Sequence, residues 1–513
     1  MNKNTKIILL SIISVLIIIT IVLGITYSFM RPINETSSIT SVNLESCANI
    51  TLTDTGESIN LSNSYPMTKN RAFETTPYTF TVSSTCPDSS GFNLYLATLN
   101  TNTLPDSSIH YIITEHGNKN VISEGILSEA TNGLSDFEDY EIEQLNNGIN
   151  GTYGSIYTLY NGPLSDTEIS YDLYLYIDES VTNETMGQTF SAGIAVKAGE
   201  YTPPSLAELC NGLTLSECIT TQVYKTGENG LYYHDTDLAN GAEDNSYRYA
   251  GANPNNYVCF GSTTTPCPAE NLYRIIGVLN DNGEYQVKLI KSDYTTSAML
   301  GTDGRDYRGA YGYSISNYKG SMDTSTIAAY SWNYDTSVSE WGSNNWTTSE
   351  FNTINLNTNY WNYLGATWQN LISPTTWHLG GMTSHSNTAK EFYDGERNNS
   401  GYGSNPTTYT DEIGLMYPSD YGYAAYPDAW TINLYDYPSS SITSNNWMYM
   451  GLEEWTITPD SSTGDFVFYV NRGFLDNNDA VNGCSARPVF YLKSNVEYNG
   501  GTGNESDPFT LVV

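Results

Sequence analysis

The feature that most constrains this chain is an apolar segment near its N-terminus, residues 7–30, in which 24 consecutive residues carry no charge. A bilayer core of about 30 Å needs roughly 20 apolar residues in a helix, so this segment is long enough to span it. A cleavable signal usually has a shorter apolar core, of about 7–15 residues, followed by a small-x-small site. The stretch 24–29 offers no Ala-x-Ala. The sequence therefore predicts an uncleaved transmembrane anchor, with an atypical signal peptide as the open alternative.

The charges that flank the apolar segment predict on which side of the membrane the remaining residues lie. Lys3, Lys6 and the amino terminus hold the short end in the cytoplasm, which places everything after Arg31 outside the cell membrane. The whole chain has 56 acidic and 20 Lys or Arg residues, a formal net charge of −36. A surface this negative repels phosphate backbones, so nucleic acid is excluded as a partner.

Cysteine usage agrees with an extracellular location, because none of the cysteines forms a CxxC pair. Short loops favour Cys259–Cys267 as a disulfide, followed by Cys210–Cys218 and Cys47–Cys86, although six cysteines allow 15 pairings. Cys484 is left over, and we interpret it as a small buried hydrophobe, with a free thiol as the alternative.

The pattern after the anchor predicts a mainly β protein with two globular domains. After a tip and anchor at 1–33, residues 34–198 contain short runs that alternate with period two, as half-buried antiparallel strands do. Seven or more such runs predict a β-sandwich, either jelly-roll or immunoglobulin-like. A Pro-rich linker at 199–204 follows. The clearest of these strands are 78–82, 92–96, 109–113 and 170–177.

Residues 205–513 predict a larger, β-rich α+β head domain. It opens with a short helix at 205–210, and an Asn-Gly turn between apolar runs at 272–279 and 286–290 predicts a hairpin. Helical spacing appears between 348 and 372. Three strands are expected to close the chain, at 466–470, 488–492 and 509–512.

Two resemblances attach to particular stretches. In the first half these stretches are 24–29, 78–82 and 190–196. They look like TasA/camelysin-type matrix and surface proteins of Gram-positive bacteria, which implies a secreted jelly-roll that assembles into fibres.

In the second half the stretches are 244–260, 271–277, 419–424, 455–459 and 486–495. They resemble a family of uncharacterised surface proteins of low-GC Gram-positive bacteria, which implies no activity. More loosely, the Trp-rich segments and the closing stretch 483–489 look like the C-type-lectin-like fold shared with formylglycine-generating enzymes. That enzyme family uses two late cysteines and this chain has Cys484 alone there, so the resemblance implies the fold without the chemistry.

The head is rich in Tyr, Trp, Asn, Gly and Ser, a composition typical of ligand-binding surfaces. Aromatic rings offer apolar faces for sugar rings, while amides and hydroxyls bond the sugar's polar groups. The alternative is that these rings form the core, since most Trp side chains are largely buried. The candidate binding residues are Trp332, Trp341, Trp346, Trp361, Tyr421 and Tyr423.

Other motifs predict structure more than chemistry. Acidic clusters at 235–244 and 476–479 lack the EF-hand pattern and are interpreted as solvated turns, so no metal is predicted. His378 and His385 lack an HExxH context and are interpreted as structural. Glu453 and Glu454 are adjacent, so on a strand they point to opposite faces and make a poor catalytic pair.

Arg487 is one of the few basic residues, and we interpret it as a structural arginine that forms a buried ion pair or hydrogen bonds to the backbone. Taken together, these patterns predict a non-enzymatic, membrane-anchored surface protein without a cofactor, whose head binds an extracellular glycan or protein. A structural subunit of a surface fibre or matrix and an extracellular glycan hydrolase are the two alternatives. Whether the chain forms a homo-oligomer stays open.

Overall fold

The period-two runs of the N-terminal half form long antiparallel strands, and the protein as a whole is mainly β, with 36% strand and 22% helix. The chain divides into two compact units, at Pro203/Pro204. The computed structural model describes residues 40–44, 47–54, 59–62, 65–84, 90–148, 151–165, 167–181, 187–224, 227–281, 283–337, 339–437 and 440–513.

Within this described part, no helix is long and apolar enough to cross a membrane. The predicted anchor at 7–30 lies outside the described residues, so it stays a prediction.

The N-terminal unit contains eleven described strands and two described helices. The strands are β1 Thr40–Leu44, β2 Cys47–Asp54, β3 Asn60–Ser62, β4 Tyr78–Ser84, β5 Ser90–Leu99, β6 Ile109–Glu115, β7 Val121–Ile126, β8 Thr131–Asn132, β9 Tyr153–Pro163, β10 Ile169–Ile177 and β11 Thr189–Glu200, and the helices are α1 Lys69–Ala72 and α2 Asp139–Gly148. The strands form two antiparallel sheets, one of order β1-β2-β4-β10-β6-β7 and the other of order β3-β11-β5-β9-β8.

Alternate residues of these strands form one core. Phe80 of β4 and Leu173 of β10 come from the first sheet, and Leu94 of β5 and Ile194 of β11 come from the second. All four are buried, so each sheet turns one face inwards, as the alternation predicted. The four strands predicted at 78–82, 92–96, 109–113 and 170–177 are confirmed. β11 extends to Glu200, so it takes up the first two residues of the predicted linker.

The C-terminal unit has a seven-stranded sheet and several smaller ones. The strands of the unit are β12 Leu231–His234, β13 Ser246–Tyr249, β14 Tyr257–Cys259, β15 Leu272–Asp281, β16 Glu284–Lys291, β17 Tyr307–Ala310, β18 Ala328–Tyr330, β19 Ile372–Ser373, β20 Thr375–His378, β21 Thr408–Asp411, β22 Glu453–Pro459, β23 Phe466–Asn471, β24 Phe474–Asp479, β25 Val489–Leu492, β26 Tyr498–Gly500 and β27 Thr510–Leu511. The seven-stranded sheet has the order β12-β13-β15-β16-β25-β19, with β14 paired beside β15.

Short helices pack around this sheet. The predicted helical stretch near 348–372 is a π-helix, Phe351–Tyr360, followed by two α-helical turns. The α-helices of the unit are α3 Leu206–Leu209, α4 Leu215–Cys218, α5 Ser297–Leu300, α6 Trp361–Leu364, α7 Ala366–Gln369, α8 Ala389–Glu396, α9 Pro418–Tyr423 and α10 Ser440–Thr443.

Two local predictions in this unit follow directly from residue chemistry. The predicted hairpin is β15–β16, and its turn places Gly283 at φ +96°, a left-handed conformation that glycine adopts without strain. The helix predicted at 205–210 is α3, which Ser205 and Glu208 begin with a reciprocal capping box.

The cysteine predictions are confirmed where they are described. Cys210–Cys218 and Cys259–Cys267 are disulfides, each closing a loop with a sequence separation of 8 residues. Cys484 is a buried free thiol, and burial raises its pKa well above the ordinary value, which suppresses the reactive thiolate. Cys86 and the side chain of Cys47 lie outside the described residues, so their pairing stays a prediction.

Candidate ligand-binding site

Four of the six predicted binding residues belong to the core instead, so their prediction as ligand contacts is wrong. Trp332 is 0% exposed and Trp346 is 2% exposed. Their ring centroids lie 4.7 Å apart, and the Trp332 indole N–H donates inward to the Thr456 carbonyl at 2.9 Å. No ring face is left for a ligand, because the two indoles pack on each other beneath the surface.

Tyr421 and Tyr423 are buried for a different reason: they lie on α9, a helix buried along its length. The Tyr421 hydroxyl donates to the Gly473 carbonyl at 2.7 Å, and the Tyr423 ring packs edge-on against Trp430. Each is only 1% exposed. A short helix surrounded by core turns all its faces inward, so composition alone could not identify its tyrosines as core.

The remaining two candidates differ in exposure. Trp341 is 50% exposed, whereas Trp361 is partly buried and packs against the core. Trp341 therefore stays a predicted ligand contact.

The structure contains a polar cavity of about 620 Å³ that the sequence did not identify. It lies beside the β15–β16 turn and is bounded by β20 and by the end of α8. Pro374 interrupts the chain between β19 and β20, because proline has no N–H for a strand ladder. We call it the Arg397 cavity; its lining residues are Asp244, Leu279, Asn280, Asp281, Glu284, Gln286, Ser373, Pro374, Thr375, Thr376, His378, Tyr393, Arg397, Tyr417 and Tyr491.

Arg397 follows α8 directly, and its guanidinium lies over the Tyr393 ring, 3.6 Å from the centroid. Its Nη1 donates to the Tyr393 carbonyl at 3.2 Å and to Glu396 Oε2 at 3.1 Å. The Tyr417 ring also lies near the guanidinium, with its centroid at 5.3 Å. Cation–π contact and the two hydrogen bonds hold the guanidinium in one orientation, with its side chain 24% exposed at the cavity.

A buried charge network supports this wall. Lys288 Nζ donates to Asp420 Oδ2 at 2.6 Å, and both side chains are almost completely buried. Lys288 also lies 4.5 Å from the Tyr417 ring centroid. Burial lowers the pKa of Lys288, and the Asp420 carboxylate opposes that shift.

Glu396 completes the network beneath Arg397. Its carboxyl is fully buried and accepts hydrogen bonds from the Ser419 N–H and hydroxyl, at 2.9 and 2.5 Å. Burial raises the pKa of Glu396 to about 7, against the opposing effect of Arg397. Near neutral pH the negative charge under Arg397 is therefore incomplete.

His378 lines the same cavity at the end of β20, and its backbone N–H donates to the Tyr417 hydroxyl at 2.8 Å. Burial lowers the pKa of His378, and the charge of Arg397 lowers it further, while Asp281 acts in the opposite direction. The imidazole is accordingly neutral at pH 7 and offers one donor and one acceptor. The structure places this histidine at the cavity, whereas the sequence favoured a structural role for it.

Carboxylates stand elsewhere around the cavity. Asp281 and Glu284 flank the β15–β16 turn, and Glu284 accepts a hydrogen bond from the Ser494 hydroxyl. Asp244 forms a two-point ion pair with Arg248, at 2.8 and 2.6 Å, and also accepts from the Tyr393 hydroxyl. The cavity thus combines a cationic wall, a carboxylate-bearing rim and tyrosine faces.

The acidic clusters interpreted as solvated turns and the second histidine form contacts within the protein, and 476–479 belongs to strand β24 rather than to a turn. Asp235 accepts from the backbone N–H groups of Asp237 and Leu238. His385 stacks on Tyr435 and lies 3.7 Å from Asp476. Among the described residues, no group of three His, Cys, Asp or Glu side chains is arranged to hold a metal ion.

Arg487 is the buried structural arginine that the sequence predicted. Its Nε and Nη2 donate to the two oxygens of Glu454, at 2.7 and 3.0 Å, and Nη2 also donates to the Met448 carbonyl. Neighbouring Glu453 instead pairs with Arg472. The two adjacent glutamates therefore serve separate ion pairs, as expected for opposite faces of β22.

The cavity residues, which sequence analysis did not connect, come from six separate parts of the chain: Asp244, 279–286, 373–378, 393–397, Tyr417 and Tyr491. Sequence analysis singled out His378 and the acidic cluster 235–244, which contains Asp244, but interpreted both as structural. For Arg397 the available signal is the scarcity of cations, since only 20 Lys and Arg residues occur among 513. No protein-family model and no curated protein matches this chain.

Proposed function

We propose that this chain is a membrane-anchored cell-surface protein whose C-terminal unit binds an extracellular glycan in the Arg397 cavity. The observation that carries the proposal is the convergence, in one cavity of about 620 Å³, of tyrosine rings with charged and neutral polar groups. Ligand sites commonly combine such a volume with a few polar groups that fix orientation.

The chemistry of the wall suits a sugar better than an apolar ligand. Tyr393, Tyr417 and Tyr491 supply ring carbon, and Gln286, Ser373 and His378 supply donors and acceptors. A sugar ring presents apolar C–H faces and a rim of hydroxyls, so it needs both kinds of partner at once. The placement outside the cell rests on the apolar segment 7–30 and its flanking lysines.

Binding without turnover is the form of the proposal that the contacts favour. Asp244 is held by Arg248 and Tyr393, Asp420 is held by Lys288, and Glu284 accepts from Ser494. Carboxylates that are committed to such partners are poorly placed to transfer protons to a glycoside.

The test is a glycan-array screen of the full chain in detergent micelles, with Thr376→Trp as the blocking variant. Thr376 is exposed and lines the cavity, so an indole there fills space at the mouth without entering the core. The matched control is Thr353→Trp, at an exposed threonine of the π-helix that does not line the cavity. We expect saturable binding that Thr376→Trp abolishes and Thr353→Trp retains.

A Trp341→Ala variant separates the cavity from the sequence-based candidate. Trp341 does not line the cavity, so the proposal expects this variant to bind like the unmodified chain. Loss of binding in Trp341→Ala with retention in Thr376→Trp would move the site to the exposed tryptophan. Absence of binding across the array by the folded chain would refute glycan binding, and release of sugar from a bound glycan would indicate a hydrolase.

A further inference from the structure

We infer that the sugar recognised in the Arg397 cavity carries a carboxylate, as uronic-acid and sialic-acid sugars do, and that Arg397 binds this group. The inference rests on the proposed function, which it narrows to one class of glycan.

The first argument is the hydrogen bonding of Arg397. Its bonds to protein acceptors, the Tyr393 carbonyl and Glu396, are both made by Nη1. Among the described residues, these are the side-chain hydrogen bonds of Arg397, so neither Nε nor Nη2 has an acceptor within the protein. These two nitrogens form one edge of the planar guanidinium, and that edge matches the two oxygens of a carboxylate. A neutral hydroxyl offers one oxygen and leaves the pair incompletely satisfied.

The second argument is that the guanidinium is already held in place. The Tyr393 ring lies beneath it at 3.6 Å, and Tyr417 lies at 5.3 Å. The orientation entropy that a mobile surface arginine loses on binding is therefore largely lost before the ligand arrives. A fixed donor pair discriminates between planar oxyanions and single hydroxyls more strongly than a mobile one does.

The third argument is local charge. Buried Lys288 lies behind the same tyrosine wall, 4.5 Å from the Tyr417 ring centroid, although Asp420 pairs with it. Glu396, the carboxyl that touches Arg397, is partly neutral near pH 7, because burial raises its pKa to about 7. The wall can thus accept the negative charge of a ligand carboxylate, because the charge of Glu396 that would repel it is incomplete.

The rim restricts how much negative charge the ligand carries. Asp281 and Glu284 also line the cavity, on either side of the β15–β16 turn, and the whole chain has a net charge of −36. The rim carboxylates accept hydrogen bonds from sugar hydroxyls but repel a further anionic group. These charges favour a sugar with a single carboxylate over a polyanionic chain.

The experiment measures affinities of the full chain for matched pairs of acidic and neutral probes. Methyl β-glucuronide is compared with methyl β-glucoside, and the methyl glycoside of N-acetylneuraminic acid is compared with its methyl ester. We expect each acid to bind at least about tenfold more tightly than its neutral partner, because a two-point charged hydrogen bond is lost in the neutral probe. Preference in one pair alone identifies which of the two sugar classes the cavity accepts.

The variant is Arg397→Lys, which keeps the positive charge over Tyr393 but removes the planar donor pair. We expect the ratio of the acid affinity to the neutral-probe affinity to fall to near one in this variant, whatever the affinity for the neutral probe becomes. Tryptophan fluorescence of the variant checks that the C-terminal unit stays folded. The unmodified chain's preference tests the carboxylate inference by itself, and the folded variant tests the assignment to Arg397.

The outcomes separate the two proposals. Equal binding of acid and neutral probes, or array ligands that are all neutral, would overturn the carboxylate inference and leave glycan binding intact. A preference that survives in a folded Arg397→Lys variant would overturn the assignment to Arg397. If neither the probes nor any array glycan binds, the proposed function itself fails.

Discussion

Removing Arg487 alone should destabilise the C-terminal unit strongly, because its partner cannot leave the core. Arg487 is 1% exposed and Glu454 is 2% exposed, and the pair is joined by two hydrogen bonds of 2.7 and 3.0 Å. An Arg487→Met variant retains much of the side-chain length but leaves a carboxylate buried without its cation. Breaking such a pair costs about 3–5 kcal/mol of unfolding free energy.

The penalty should depend on pH with a definite sign. Burial already raises the pKa of Glu454, and Arg487 opposes that rise. Without Arg487 the pKa rises further, so the folded variant binds a proton that the unfolded chain has released. The cost of Arg487→Met should therefore be greater at pH 8 than at pH 5.

Replacing both partners tests whether the buried charge is the cause. The double variant Arg487→Met/Glu454→Leu leaves neither charge of the pair in the core. Although it has one substitution more, it should be more stable at pH 8 than Arg487→Met alone. Its stability should also lack the additional pH dependence of the single variant.

Urea unfolding followed by tryptophan fluorescence measures these free energies. All nine tryptophans lie between Trp332 and Trp455, so the signal reports the C-terminal unit by itself. A loss below about 1 kcal/mol for Arg487→Met, or a double variant as unstable as the single one at every pH, would refute the reasoning from burial.

Two further predictions concern the core and the network under the cavity. Trp332→Ala should lower the unfolding free energy by about 3–5 kcal/mol, since the Trp332 ring is completely buried. Trp341→Ala should change the unfolding free energy by only about 0.5 kcal/mol, because Trp341 is half exposed. Equal urea midpoints for the two variants would contradict this prediction. Folding raises the pKa of Glu396 from its ordinary 4.5 to about 7. Between these two pH values the folded chain holds a proton that the unfolded chain has released, so the folded state loses about 3 kcal/mol of stability as the pH rises from 4.5 to 7. Glu396→Gln should remove this loss, so the unfolding free energy of the variant should rise relative to that of the unmodified chain between pH 4.5 and 7.5. A difference in unfolding free energy that stays constant over this range would show that Glu396 is ionised in the folded chain.

Local patterns in the sequence were enough to predict several features of this protein. Period-two alternation predicts strands such as β4 and β10, because a residue's side in a strand depends only on its position along it. Short spacing predicts the Cys210–Cys218 and Cys259–Cys267 disulfides, since nearby cysteines meet at little entropic cost. The scarcity of cations similarly pointed to a structural ion pair for Arg487.

Only the tertiary structure decided which aromatic side chains are available to a ligand. Trp332 and Trp341 belong to the same Trp-rich region, yet one is 0% and the other 50% exposed. The burial of a ring depends on the side chains that pack against it from distant parts of the chain, and composition does not specify these contacts. The Arg397 cavity has the same origin, because strand pairing and helix packing bring together side chains from Asp244 to Tyr491 that no local pattern connects.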